Sequence, residues 1–161
     1  MEDQLRDIYN RMAEHLSSMI PTEWDKVYLL GEVEKGQLSL SATFYFIETE
    51  TKDIVRGIDI PDIYDISEKT YEKLQSGLRE LVLELNNCFK DDGQELWEQV
   101  IFILDSDGSF DIDFKYDVMT SGDGGASRRI VIWAYDTFGY KPKEGTYFRE
   151  ELDEYLRSRE R

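Results

Sequence analysis

The sequence predicts an α+β domain: a mostly antiparallel sheet built from two hairpins, with N-terminal, central and C-terminal helices packed on it. Three observations predict it. Apolar residues recur at spacings of three and four in separate segments, the mark of helices with one buried face. Between those segments apolar and polar residues alternate with a period of two, the mark of strands with one face on a core. The alternating runs come in pairs broken by short glycine-containing turns, as hairpins require. The length of 161 residues suits one domain over 1–161.

The first helix is carried by Leu5, Ile8, Met12, Leu16, Met19 and Ile20, which share one face. Pro21 ends it, because the residue before a proline is pushed out of helical geometry. A strand over 27–33 follows, rich in β-branched and large apolar residues, and Glu34-Lys35-Gly36 supplies a turn. Leu38, Leu40, Ala42, Phe44 and Phe46 then alternate with polar neighbours and Tyr45, which completes the first hairpin. Residues 54–60 suit a short third strand stopped by Pro61, and Asp62-Ile63-Tyr64-Asp65 reads as a loop. Ser67 can cap the next helix through its hydroxyl. In that helix Tyr71, Leu74, Leu78, Leu81, Val82, Leu85 and Phe89 form the clearest apolar stripe in the chain, closed by Asp91-Asp92-Gly93.

The second hairpin begins with a strand over 97–104 and turns at Asp107-Gly108. Phe110, Ile112, Phe114 and Tyr116 alternate with Asp111, Asp113, Lys115 and Asp117. A two-residue loop at 107–108 sets Asp111 opposite Leu104 and Asp113 opposite Phe102, so the acids share a face with large apolar groups. Residues 120–127 read as a mobile glycine-rich connection. Residues 128–138 suit either helix or strand, and helix is preferred because Ile130, Trp133, Ala134 and Phe138 fall on one side. Gly139, Lys141 and Pro142 break it before a last helix over 146–159 with Tyr147, Phe148, Leu152, Tyr155 and Leu156 as its apolar face.

Charge decides which partners are plausible. The formal net charge is −16. Nucleic acids are polyanions bound through Lys and Arg, and anionic membranes are reached the same way, so neither is expected as a partner. A basic protein is favoured, because a negative field speeds its encounter. Acidity also serves solubility alone in many proteins. Between residues 91 and 123 lie ten acids, among them Asp105, Asp107, Asp111, Asp113 and Asp117, against the single base Lys115. A charge run is usually a solvated face. Here it falls on a structured hairpin beside aromatic groups, a composition suited to protein binding. The expected partner-binding residues are therefore those five aspartates, with Phe102 and Leu104 adding apolar contact if no helix covers them.

Catalytic chemistry finds little support. The single histidine, His15, lies on the first helix and reads as a surface residue, and Cys88, the single cysteine, reads as a buried inert thiol. Zinc sites need three or four such ligands. The segment from Asp105 to Asp111 has aspartates like a calcium loop, but its glycine is at position four and Tyr116 stands where the twelfth-position Glu belongs. The loop after Thr120 lacks the lysine of a phosphate-cradling motif. No catalytic residue, cofactor or metal is expected. The start of the chain lacks a basic, apolar leader and no stretch approaches the about 20 apolar residues of a membrane span, so the expected location is the cytoplasm.

The order of an amphipathic helix, a hairpin led by Trp24, a Leu-rich helix, and Trp97 leading a second hairpin with Asp107-Gly108-Ser109-Phe110 and Phe114-Lys115-Tyr116, closed by Arg129, Trp133, Tyr135, Gly139 and Pro142, resembles the YezG/EsaG-like family of bacterial antitoxins, or immunity proteins. The resemblance covers nearly the whole chain. It implies a non-enzymatic protein made beside a secreted polymorphic toxin, often with a nuclease tip, which it binds and blocks in the producing cell. A cognate toxin with a basic nuclease domain is the partner it implies. Trp24, Trp97, Tyr116, Trp133, Gly139 and Pro142 read as core and turn positions. The rival reading is an acidic small-molecule or regulatory protein-binding module with no toxin partner.

Overall fold

The computed structural model describes residues 1–160. Five α-helices and one five-stranded antiparallel sheet make up the described chain, as expected for an α+β protein. The residues fall into two compact units, Met1–Val118 and Met119–Arg161.

The first unit contains the whole sheet. Its strands are β1 (Trp24–Val33), β2 (Leu40–Glu48), β3 (Ile54–Arg56), β4 (Gln99–Asp105) and β5 (Phe110–Lys115), in the spatial order β3-β2-β1-β4-β5. Every neighbouring pair is antiparallel. Val27, Leu29 and Val33 of β1 share a face with Phe44 and Phe46 of β2 and with Val100, Phe102 and Leu104 of β4. That face is buried beneath α1 (Glu2–Met19) and α3 (Glu68–Asp91), which contribute Ile8, Met12, Leu16 and Leu78, Val82, Leu85 to the same core. The predicted stripes of both helices are thus the ones that face the sheet. Ser67 caps α3 by accepting from the Thr70 amide at 3.1 Å, as its position predicts. Gly31 explains how α3 comes so close. A Cβ there would stand 2.8 Å from Val100 Cγ1 and 2.9 Å from Val82 Cγ1, inside van der Waals contact.

Several local expectations are corrected. The third strand stops at Arg56 rather than residue 60, and the chain turns through a 3₁₀ turn (Gly57–Asp59) into a short helix, α2 (Ile60–Tyr64). Pro61 does not end a strand; it occupies the first turn of α2, where its missing N–H costs nothing. Leu38 is not on the core face. It projects from the β1–β2 turn at 80% exposure, while Gln37, with φ 56°, donates its amide to Asn86 Oδ1 and Asn87 Oδ1 at 3.0 and 2.7 Å. Asn86, buried in the core, in turn donates to the Trp97 carbonyl at 3.1 Å, so polar side chains tie the turn to α3 and to the start of β4. His15 is half-buried rather than a surface residue: its Nε2 lies 2.6 Å from the Leu74 carbonyl oxygen.

The second unit is a pair of packed helices, α4 (Gly125–Phe138) and α5 (Tyr147–Arg159). The ambiguous segment 128–138 is helical. The glycine-rich stretch before α4 is tied together by one carboxylate. Asp123 accepts from the Thr120 amide at 3.1 Å, the Gly125 amide at 2.7 Å and Arg129 Nη1 at 2.8 Å. Gly139 ends α4 in the left-handed conformation at φ 73°, the role read for it in the sequence. Tyr155 donates to Asp136 at 2.6 Å and Arg159 pairs with the same carboxylate, joining α5 to α4.

Candidate functional site

The second hairpin is built from a local turn and a register. The Gly108 amide donates to the Asp105 carbonyl at 2.9 Å and the Asp105 amide to the Ser109 carbonyl at 2.8 Å. Gly108 sits at φ 92°. This is a three-residue loop over 106–108 with a left-handed glycine, one residue longer than the two-residue loop predicted. Asp107 fixes it by accepting from the Ser109 hydroxyl at 2.6 Å and the Ser109 amide at 2.9 Å. Those bonds, the hydroxyl first, hold its carboxyl below the ordinary range, so the tip of the hairpin carries an ionised group.

The extra residue changes the register by one and turns every side chain of β5 over. Asp111 pairs with Ile103 and Asp113 with Ile101, while Ile112 pairs with Phe102 and Phe110 with Leu104. Phe102 and Leu104, at 0% and 2% exposure, belong to the core under the helices. They are therefore withdrawn from the expected contact surface. Asp105, Asp111 and Asp113 lie on the opposite face of the sheet, while Asp107 sits in the turn and Asp117 follows β5. The signal was available in the sequence: only this register puts Phe110, Ile112 and Phe114 on the same side as Val100, Phe102 and Leu104.

The five aspartates do not act as one uncompensated cluster. Asp105 pairs with Lys26 at 3.4 Å, Asp113 with Lys115 at 3.1 Å, and Asp117, at φ 52°, with Lys35. The Asp117 bond holds the Lys35 ammonium above its ordinary pKa. Asp111 is exposed and has no ion pair among the described residues. Exposed pairs of this kind are worth about 0–1 kcal/mol and are readily exchanged for a better partner.

A second acidic feature has no signature in the sequence. A groove of about 450 Å³ runs between α1 and α3, lined by Gln4, Asp7, Arg11, Glu84, Cys88 and Asp91 among others. Arg11 bridges its walls, bonding Asp7 at 2.9 Å and also Glu84. Cys88 is half-buried on the wall, within 3.5 Å of Gln4 Oε1, rather than sealed in the core. Residues far apart in sequence, such as Gln4 and Cys88 or Arg11 and Glu84, line this groove, which is why no local motif announces it. Tyr116, read as a core position, is exposed.

The charge is divided by unit. Residues 1–118 hold 27 acids and 11 bases, whereas 119–161 hold eight of each, so the net −16 resides wholly in the first unit. Among the described residues no group of His, Cys, Asp and Glu is arranged to hold a metal ion, and no helix is long and apolar enough to cross a membrane.

These features define an α+β protein whose net negative charge falls in the unit that holds the sheet. The model of the family described as Immunity protein YezG-like matches residues 5–152. The chain is 31% identical over 157 residues to Immunity protein YezG of Bacillus spizizenii, covering 98% of this chain and 96% of that protein. It is 32% identical over 140 residues to Immunity protein YezG of Bacillus subtilis, covering 87% and 91%. To the Type VII secretion system protein EsaG of Staphylococcus aureus it is 29% identical over 161 residues, covering 99% and 98%. The chain belongs to the YezG-like immunity protein family.

Proposed function

We propose that this protein is an antitoxin that binds and neutralises a cognate secreted toxin, a nuclease, in the cytoplasm of the producing cell. The observation that carries the reading is the confinement of the whole net charge of −16 to the sheet-bearing unit of a chain in the immunity protein family. A nuclease needs a basic surface to hold its polyanionic substrate. An acidic protein competes for that surface by the same electrostatics, and long-range attraction brings the two together quickly. Asp105, Asp107, Asp111, Asp113 and Asp117 supply the negative face of the second hairpin, with Asp107 and Asp111 free of lysine partners and the other three able to trade theirs. No bond is made or broken in this scheme; inhibition is stoichiometric, and the protein is not an enzyme.

The test is to add the purified protein in increasing ratio to the C-terminal domain of the toxin encoded beside its gene and follow plasmid degradation. Loss of cleavage with an end point near one to one supports the reading. Undiminished cleavage at excess protein contradicts it.

A further inference from the structure

We infer that the free edge of β5 is a strand-addition site for an extended, basic segment of the toxin, an inference that rests on the antitoxin reading. β5 is the last strand of the sheet and pairs only with β4. The Asp105–Ser109 backbone bond fixes the alternation of the ladder. Counting from it, Asp111 and Asp113 are the β5 residues that exchange backbone bonds with Ile103 and Ile101. The N–H and C=O groups of Phe110, Ile112 and Phe114 therefore point away from the sheet, and none of them bonds to another backbone group of the described chain. That is a row of three donor–acceptor pairs over six residues.

Natural edges are usually blunted by proline, a bulge, extreme shortness or lysine. The opposite edge, β3, follows that rule, being three residues long before the chain leaves the sheet. β5 has no proline, its register with β4 is unbroken, and its single lysine, Lys115, stands at its last position and pairs with Asp113 at 3.1 Å. What guards it is Asp111 and Asp113. An added strand would bring its residues within about 5 Å of them on the same face. A second copy of β5 would set carboxylates against carboxylates and is disfavoured. Lysine or arginine at alternate positions of the incoming strand would instead complement them. On the other face Phe110, Ile112 and Phe114 are only half-buried, so the intervening residues of that strand should be apolar. The edge thus selects an extended segment alternating basic and apolar residues, with the main chain supplying adhesion and the aspartates supplying choice.

Amide hydrogen exchange by NMR on the full chain, alone and bound to the neighbouring toxin domain, tests this without altering the edge. In the free protein the amides of Phe110, Ile112 and Phe114 should exchange fast, and those of Asp111 and Asp113 slowly. On binding, the first three should slow by about tenfold or more. A stable complex in which those three stay fast overturns the inference and leaves the antitoxin reading standing. Absence of any complex overturns both. Protection of the three in the free protein that grows with concentration would mean self-pairing and would also overturn it. As a second arm, Asp111→Lys with Asp113→Lys should weaken the complex at least about tenfold at low salt while the far-ultraviolet spectrum is unchanged; unaltered affinity would remove the aspartates from the selection.

Discussion

The imidazole of His15 lies against Gly77, with its Nε2 2.6 Å from the Leu74 carbonyl oxygen, so the crossing of α1 over α3 is keyed by a ring seated where α3 has no side chain. A Cβ at Gly77 would stand 2.7 Å from His15 Cε1. Gly77→Ala should therefore lower stability by about 1–3 kcal/mol, the ordinary cost of overpacking, even though alanine favours a helix interior by about 1 kcal/mol. Removing the ring should reverse the sign: in a His15→Ala background the same change should stabilise. Urea unfolding of the four proteins checks both halves. A Gly77→Ala that destabilises equally in both backgrounds would show that the ring is not the obstacle.

Gly31 offers a second packing test on the sheet. The space for its side chain is already filled by Val82 of α3 and Val100 of β4. Gly31→Ala should push the helix off the strand and cost about 1–3 kcal/mol in chemical denaturation. Shortening one neighbour, Val82→Ala, should recover part of that loss in the double variant.

Phe102 separates core from contact surface. Because it is fully buried under the helices, Phe102→Ala should cost about 3–5 kcal/mol of stability. The association rate with the toxin, measured on the fraction that remains folded, should be unchanged.

Asp123 should make the second unit sensitive to acid. The Gly125 amide first, and the Arg129 guanidinium after it, hold its carboxyl below the ordinary 3.8. A carboxyl whose pKa is lower folded than unfolded stabilises fully above the unfolded value, and that contribution fades as pH falls through the folded one. Asp123→Asn should therefore melt lower than the natural protein at pH 7, and the gap should close below about pH 4. Circular dichroism melts at pH 7, 4 and 2.5 measure it; a gap that is the same at all three would mean the charge of Asp123 is not what holds the loop.

The helices and the core were the most legible parts of the sequence because their signals are periodic and redundant. The stripe from Tyr71 to Phe89, with Ser67 ahead of it and Gly93 behind, leaves few alternatives for α3. Features resting on a single residue were not legible in this way. Asp107-Gly108 reads as a two-residue turn, yet the Asp107 carboxylate bonded to Ser109 selects the longer loop, and that one step sends Asp111 and Asp113 to the other face of the sheet. Pro61 reads as a terminator and proves to be the start of a helix, since a missing N–H is equally at home in both places. His15 and the α1–α3 groove depend on residues about 60 to 80 positions away, which no local pattern encodes.

Recognition driven by charge should show itself in the stopped-flow association rate with the toxin domain as a function of salt. At 0.1 M ionic strength the screening length is about 10 Å and at 1 M about 3 Å, so attraction from the acidic unit should be almost extinguished over that range. The rate should fall steeply, by about ten- to a hundredfold, with Asp111→Lys plus Asp113→Lys starting lower and falling less. A rate that is flat with salt, and indifferent to those two substitutions, would contradict it.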